Sequence, residues 1–192
     1  RTEDGLPLDQ VRDIAQTPDG YLWLATAEGL VRFDGVRFVT FDRHSTPALR
    51  LDDVISLCVD REGSLWLASE GGGIARWRQG EITAYGAADG LVFESARTIV
   101  ADREGTLWIG TRGSGLYRLQ DGRFRAYTTR EGLANDHVLA LLPDRAGDLW
   151  IGTRSGVQRH GKPCSISVRE SAAIARASTG VASRICQSDA LT

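Results

Sequence analysis

The chain of 192 residues contains no methionine, three cysteines and no long apolar segment. Because it begins at Arg1 without an initiator residue, we expect a fragment or a processed product, and the lack of a signal peptide then says nothing about the compartment. No apolar run approaches the ~18 residues that a membrane-spanning helix needs, so we expect no membrane contact by this segment. A formal net charge of −2 provides no basic field and disfavours nucleic acid as a partner.

The sequence is also poor in groups that carry out catalysis. Its three histidines, His44, His137 and His160, fall in or beside different inter-strand loops and have no carboxylate or cysteine partner at ligand spacing. The sequence has no nucleophile-elbow, zinc-protease, phosphate-loop or Cys-x-x-Cys motif. We therefore expect no catalytic residue, no metal site and no cofactor.

One phrase occurs four times along this chain. Each copy consists of a glycine, a variable residue, leucine, tryptophan and an aliphatic residue, and the copies lie 43, 42 and 42 residues apart. The four tryptophans are Trp23, Trp66, Trp108 and Trp150. Self-similarity at this period indicates a repeat architecture, in which each unit buries its apolar face against its neighbours.

Each unit is predicted to contain four short strands. The apolar stretches are four to seven residues long and are bounded by Asp, Glu, Asn or Gly, which favours strands over helices. In the third copy we predict strands near 97–101, 106–111, 116–119 and 123–127, with glycine-containing turns between them. Strands joined in this way form an antiparallel meander.

The second strand of each unit is apolar throughout, as in segment 107–110, so both of its faces must be covered. Radially packed sheets provide that cover, and the predicted fold class is all-β, a β-propeller segment of about four blades. The predicted blades are 1–43, 44–86, 87–128 and 129–161, the last one incomplete. We predict that the four tryptophans form inter-blade core. The alternative is that the four tryptophans form an exposed ring that binds an aromatic or sugar ligand.

Residues 162–192 form a non-repeat tail that is rich in Ser, Ala and Arg and has no aromatic residue. Segment 167–177 resembles a capping box before a short helix, so we predict an irregular or weakly helical tail. Cys164 and Cys186 lie in this tail and could pair in an oxidising compartment, although spacing alone does not decide it. Cys58 is predicted to be a buried thiol in a strand.

The fullest copy of the repeat reads Asp102-Arg-Glu-Gly-Thr-Leu-Trp-Ile-Gly-Thr111, followed by Gly115-Leu116. Over residues 1–161 this pattern resembles the two-component-regulator propeller repeat, although the second copy has Ala48-Leu49 where the others have Gly-Leu. The resemblance implies a periplasmic sensor region of a bacterial transmembrane protein whose output module is a histidine kinase or a diguanylate cyclase. It also implies more repeats than four, so we expect an arc with two open flanks that could self-associate.

The loop between the second and third strands varies while the frame around it repeats, and functional residues on scaffolds tend to lie in such loops. The candidate ligand-binding residues there are Glu28, Glu70, Arg112 and Arg154. Arg112 and Arg154 could jointly hold an anion such as a uronic acid or a phosphate. We expect a non-catalytic sensor for an unidentified small molecule or saccharide. The alternatives are a protein-interaction propeller and, third, a propeller glycosidase or lyase.

Overall fold

The computed structural model describes residues 10–51, 53–161 and 165–167, which form four antiparallel sheets. Each sheet contains four strands that follow one another along the chain, so every sheet is a meander. The first sheet contains β1 (Val11–Gln16), β2 (Leu22–Thr26), β3 (Gly29–Phe33) and β4 (Phe38–Phe41), and the second contains β5 (Val54–Val59), β6 (Leu65–Ser69), β7 (Ile74–Arg78) and β8 (Glu81–Tyr85). The third contains β9 (Ala96–Ala101), β10 (Leu107–Thr111), β11 (Leu116–Gln120) and β12 (Arg123–Tyr127), and the fourth contains β13 (Val138–Pro143), β14 (Leu149–Thr153), β15 (Gly156–Gly161) and β16 (Ser165–Ser167).

The predicted all-β meander is confirmed, and the strands of the third sheet begin and end within one residue of their predicted bounds. The turns follow the glycine pattern of the sequence. Gly105 has a φ of +83° and its amide donates to the carbonyl oxygen of Asp102 at 3.1 Å, which closes the turn between β9 and β10. Such a positive φ is a conformation that glycine adopts without steric cost.

Successive sheets pack face to face through three apolar clusters. The first strand of each sheet contacts the first strand of the next sheet: β1 contacts β5, β5 contacts β9, and β9 contacts β13. The cluster between the first two sheets joins Trp23 and Leu30 to Leu57, Leu65 and Leu67. The next two clusters repeat this arrangement one and two sheets further along the chain. Face-to-face packing in chain order is the arrangement of propeller blades, and the fold is a four-bladed β-propeller segment.

The tryptophans differ in burial along this stack. Trp23, Trp66 and Trp108 are 1%, 5% and 3% exposed, whereas Trp150 is 40% exposed. The first three belong to clusters that include residues of the following blade. Within the described residues there is no sheet beyond the fourth, and none of them covers the outer side of Trp150 as a following blade covers the other three tryptophans. Trp150 therefore departs from the predicted uniform core.

Three 3-10 turns connect the blades, at Pro47–Leu49, Ala87–Asp89 and Thr129–Glu131. Beside them Leu49, Leu91 and Leu133 are at most 3% exposed and fill the junction between adjacent blades. Leu49 thus retains this packing although its copy departs from the Gly-Leu pattern. Within the described residues, no helix is long and apolar enough to cross a membrane.

The fourth blade corrects the predicted boundary at residue 161. The short strand β16 pairs with β15 through residues 159–161, so this sheet has four strands instead of an incomplete set. The sequence does not signal β16, because Ser165 and Ser167 lack the apolar pattern of the other fourth strands. Cys58 is 1% exposed, which confirms the buried thiol predicted for it. Cys164, Cys186 and the helix predicted after residue 167 lie outside the described residues.

Candidate functional site

The loops that carry the predicted ligand-binding residues lie at one end of the blades, which we call the rim. In the second, third and fourth blades the loop is anchored to the residues that lead into the first strand of the same blade. The amide of Glu70 donates to the carbonyl oxygen of Asp53 at 3.1 Å, and that of Arg154 donates to His137 at 3.2 Å. The variable loops and the inter-blade connectors therefore form one surface.

A cluster of charged side chains crosses three blades on this rim. Arg12 in β1 pairs with Asp53 and, at 3.3 Å, with Glu70 of the second blade. The other carboxylate oxygen of Glu70 accepts from Arg112 of the third blade at 2.9 Å. The structure therefore brings together two of the predicted site residues, Glu70 and Arg112. It pairs Arg112 with a carboxylate instead of leaving it, beside Arg154, open to an anion.

The backbone directs Arg12 into this cluster. The pairing of β1 with β2 shifts register between Val11 and Asp13, which leaves Arg12 as the extra residue of a β-bulge. The other three blades have the same shift at the same place, and a bulge alters the direction of the side chain that it carries. The third blade also carries an arginine in this bulge, Arg97, but among the ion pairs of the described residues it is Arg12 that joins the bulge to the next blade.

The environment of Asp53 shifts its acidity. Burial raises the pKa of Asp53, the positive charge of Arg12 opposes the rise, and the negative charge of Glu70 adds to it. The group is therefore a carboxyl whose proton affinity responds to charges placed next to it. An arriving cation or hydrogen-bond donor favours its ionised form, whereas an arriving anion favours its protonated form.

A shallow cleft of about 310 Å³ opens beside this cluster. The residues that line it are Arg43, Arg50, Leu51, Asp53, Ser69, Glu70, Gly71 and Gly72. Guanidinium groups and carboxylates thus lie on the same cleft, a combination that can donate to and accept from one polar ligand. Its volume lies at the lower end of the range found for small-molecule sites.

Arg50 occupies a backbone conformation that the other connectors reserve for glycine. It follows a 3-10 turn with a φ of +53°, and the residues that follow the next two such turns, Gly90 and Gly132, have φ of +90° and +94°. In the register of the repeat those glycines align with Ala48, and Arg50 aligns with Val92 and Ala134. A residue with a side chain pays a steric cost in this region, and such residues concentrate at functional sites. The cleft therefore carries a guanidinium on a residue whose backbone lies in the left-handed region.

The other predicted site residues lie apart from this cluster. Glu28 and Arg154 are exposed on the first and fourth blades, in two-residue turns between β2 and β3 and between β14 and β15. Among the described contacts, no ion pair joins either side chain to the cluster. The loops that carry Glu70 and Arg112 are longer, and this difference in length is visible in the sequence as an extra residue before the glycine.

At the opposite end of each blade, every tryptophan makes two contacts that we together call the indole clamp. An oxygen atom accepts a hydrogen bond from the indole N–H, and the guanidinium group of an arginine lies over the indole ring. The acceptors are Thr17 for Trp23, Asp60 for Trp66, Asp102 for Trp108 and Asp144 for Trp150, at 2.8–2.9 Å. The arginines are Arg32, Arg76, Arg118 and Arg159, with guanidinium carbons 5.3–6.0 Å from the ring centroids. We did not predict these arginines, although each stands three residues after the repeated glycine.

His160 lies at this opposite end and not on the rim. Its ring packs edge-on against Trp108, with centroids 5.5 Å apart, beside a small pocket of about 150 Å³. Burial lowers the pKa of His160, and the charge of Arg118 lowers it further. Within the part of the chain that the structure describes, no three His, Cys, Asp or Glu side chains are grouped so that they could hold a metal ion.

The sequence profile of the two-component regulator propeller family matches the chain at residues 5–28, 48–71, 90–113 and 132–155. The chain belongs to this family. The last three matches run through the first two strands into the variable loop, so they cover the inter-blade leucine, the indole clamp acceptor and the tryptophan of their blades. The first match includes β1, β2, Thr17 and Trp23. The resemblance stated from the repeat is confirmed. Among curated protein sequences, none matches the chain.

Solved structures share the fold of this two-component regulator propeller. The extracellular domain of BT3049 from B. thetaiotaomicron, classed as a hybrid two-component system, superposes with a TM-score of 0.70 at 23% identity, over 79% of this chain and 21% of that one. The extracellular domain of BT4673 from the same organism gives 0.65 at 23% identity, over 82% and 24%. Virginiamycin B lyase from Staphylococcus aureus gives 0.66 at 15% identity, over 84% and 56%. The propeller described here spans less than a quarter of the two signalling domains, and these identities establish the fold alone.

Proposed function

We propose that the chain is part of the extracytoplasmic sensor propeller of a bacterial signalling protein and that its rim binds a ligand without transforming it. Family membership and the likeness to extracellular domains of putative two-component systems support the sensor role. The output module, a histidine kinase or a diguanylate cyclase, would lie elsewhere in the parent protein. A parent reading frame that encodes neither a membrane helix nor an output domain would contradict this part of the proposal.

The observation that carries the ligand-binding role is the rim cleft beside Arg12, Asp53 and Glu70. It combines guanidinium donors with carboxylate acceptors across blades, and Arg50 lies there in a conformation that costs backbone energy. A ligand with both hydroxyl groups and a carboxylate matches this set, because hydroxyls donate to Asp and Glu while a carboxylate accepts from Arg. We therefore assign the cleft to an acidic saccharide.

Calorimetric titration of the full chain with neutral and uronate-containing oligosaccharides tests this assignment. We expect binding of the acidic members, weakened at least about tenfold by Arg50→Gly, because a charge-assisted hydrogen bond is lost. Arg50→Gly also relieves the backbone, so weaker binding cannot be ascribed to unfolding. The matched control is Arg154→Gly, which removes a rim arginine outside the cleft and should leave the affinity unchanged.

Two results would overturn the site while leaving the fold intact. One is equal affinity for neutral and acidic saccharides, since the guanidinium groups would then have no role. The other is loss of affinity in Arg154→Gly but not in Arg50→Gly, which would mean that the ligand binds at the fourth blade and not in the cleft. The likeness to virginiamycin B lyase concerns the fold alone, so a lyase activity is not proposed.

A further inference from the structure

The rim carries three basic side chains at the third junction, between the third and fourth blades, and we call them the basic triad (Arg97, His137 and Arg154). Arg97 lies in the bulge of β9, His137 leads into β13, and Arg154 lies in the turn between β14 and β15. Arg97 and Arg154 are exposed, and His137 is half-buried. The triad belongs to two blades that face each other inside the stack.

In the register of the repeat, the basic triad occupies the positions that form the ion-pair cluster at the first junction, between the first and second blades. The aligned pairs, which stand eleven residues before, thirteen before and four after the tryptophans of their blades, are Arg97 with Arg12, His137 with Asp53, and Arg154 with Glu70. At the first junction two carboxylates neutralise one arginine. The third junction has basic groups at both carboxylate positions.

The backbone has the same arrangement at the two junctions. The amide of Arg154 donates to the carbonyl oxygen of His137 at 3.2 Å, as that of Glu70 donates to Asp53 at 3.1 Å. The bulge in β9 also repeats the bulge in β1. Because the arginine of the β1 bulge reaches both residues of its pair across the first junction, we expect the arginine of the β9 bulge to be directed at the corresponding pair.

Within the part of the chain that the structure describes, no ion pair joins the basic triad to a carboxylate. Asp136 is the neighbour of His137 in sequence, but its two oxygens accept from the amide and the hydroxyl of Thr129 at 2.7 and 3.2 Å. Arg112 borders the junction from the third blade, and its charge is shared with Glu70 at 2.9 Å. The third junction therefore carries positive charge that the described carboxylates leave uncompensated.

The segments that carry the basic triad are fixed by contacts of their own. The Asn135 amide group donates to the hydroxyl of Ser155 at 2.9 Å, and its oxygen accepts from the backbone amide of His137 at 2.8 Å. The imidazole ring lies against Gly113, where an added Cβ would stand 3.4 Å from Cε1. A ligand would therefore meet loops that are already ordered, which lowers the entropic cost of binding.

We propose that the basic triad is a second rim site, separate from the cleft, and that it binds a phosphate group. A phosphate ester carries a charge of about −1.5 to −2 near neutral pH and presents several oxygen acceptors, which guanidinium groups bind through paired N–H donors. An imidazole adds a further N–H donor. Saccharide hydroxyls need acceptors as well as donors, and the triad has no carboxylate to accept from them. Free phosphate and a phosphate ester share the required chemistry.

Calorimetric titration of the full chain with inorganic phosphate tests the proposal at low ionic strength, where exposed charges are least screened. We expect saturable binding that Arg97→Gln and Arg154→Gln each weaken at least about tenfold, because each removes a charge-assisted pair. The matched control is Arg123→Gln, which changes an exposed arginine at the opposite end of the third blade and should leave the affinity unchanged. Arg50→Gly should also leave it unchanged, which separates this site from the cleft.

Arg154→Glu gives the sharpest discrimination, because it builds at the third junction the ion pair that Arg12 makes with Glu70 at the first. We expect phosphate binding to be lost while the Tm stays at least as high as that of Arg154→Gln, since the new carboxylate can pair with Arg97. A parallel titration with glucose 6-phosphate assigns the source: tighter binding than that of inorganic phosphate would support an ester, and equal affinity would support free phosphate.

Three results would overturn the second site. One is the absence of phosphate binding by the wild-type chain, and another is an equal loss of affinity in Arg97→Gln and Arg123→Gln, which would indicate a diffuse effect of net charge. The third is phosphate binding that survives Arg154→Glu. None of these results bears on the cleft, because the saccharide proposed for the cleft depends on Arg50 and not on the basic triad.

Discussion

Replacing Asp102 with alanine removes three hydrogen bonds from one blade. One oxygen of the Asp102 carboxylate accepts from the amides of Glu104 and Thr106, both at 2.9 Å, and shapes the turn between β9 and β10. The other oxygen accepts from the indole N–H of Trp108, also at 2.9 Å. Trp108 is 3% exposed, so its indole N–H is largely withdrawn from solvent and loses its one protein acceptor.

The expected loss follows from the orphaned indole donor and the weakened turn. A buried donor left without a partner costs about 1–3 kcal/mol, and a hydrogen bond to a charged acceptor contributes about 1.5–3 kcal/mol. These effects overlap, and we expect Asp102→Ala to reduce the free energy of unfolding by about 2–4 kcal/mol. For a chain of this size that corresponds to a decrease in Tm of roughly 5–12 °C. Thermal unfolding followed by near-ultraviolet circular dichroism measures it.

The chain provides two matched controls for this prediction. In the first blade Thr17 takes the place of the aspartate and accepts from Trp23 at 2.9 Å, so Asp102→Thr should recover part of the loss. In the fourth blade Trp150 is 40% exposed, and water can replace the acceptor, so Asp144→Ala should cost much less than Asp102→Ala. Equal losses in Asp102→Ala and Asp144→Ala, or no recovery in Asp102→Thr, would refute the role assigned to the indole clamp.

Two further predictions concern Arg50 and His160. Arg50→Gly should raise the free energy of unfolding by about 1 kcal/mol in urea denaturation, since glycine adopts the positive φ without strain. The control Arg154→Gly should not raise it. Equal effects of the two substitutions would contradict the backbone strain at Arg50. Because burial lowers the pKa of His160 below its ordinary value of about 6.5, the unfolded chain binds the proton more readily, and stability should fall as pH falls below that value. His160→Gln should flatten this part of the pH profile, and an unchanged slope would contradict the assignment.

Much of the fold could be predicted from the repeat. The spacing of the tryptophans predicted the blades, and the strands of the third copy lie within one residue of their predicted bounds. These features depend on local alternation of apolar and turn residues, which each copy carries in full. The strand β16 was missed for the same reason, since its two serines lack that alternation and its pairing with β15 comes from the neighbouring strand.

The candidate site was predicted only in part. Glu70 and Arg112 were identified from variation in a loop, but their pairing at 2.9 Å joins two different blades. Arg12 and Arg50 were missed because their positions are set by a bulge and by a left-handed turn residue, and neither feature has a strong signal in one sequence. The arginines of the indole clamps had a signal, their fixed distance from a repeated glycine.

The sequence by itself determined the blade count, the strand order and the residues that can fill a junction, because these depend on contacts within about forty residues of chain. The tertiary structure alone decided which of four equivalent tryptophans is exposed and which charges meet on the rim. Burial and pairing depend on what lies across a junction, and the repeat is nearly the same whether or not a neighbouring blade follows. The same residue type is therefore core in Trp108 and surface in Trp150.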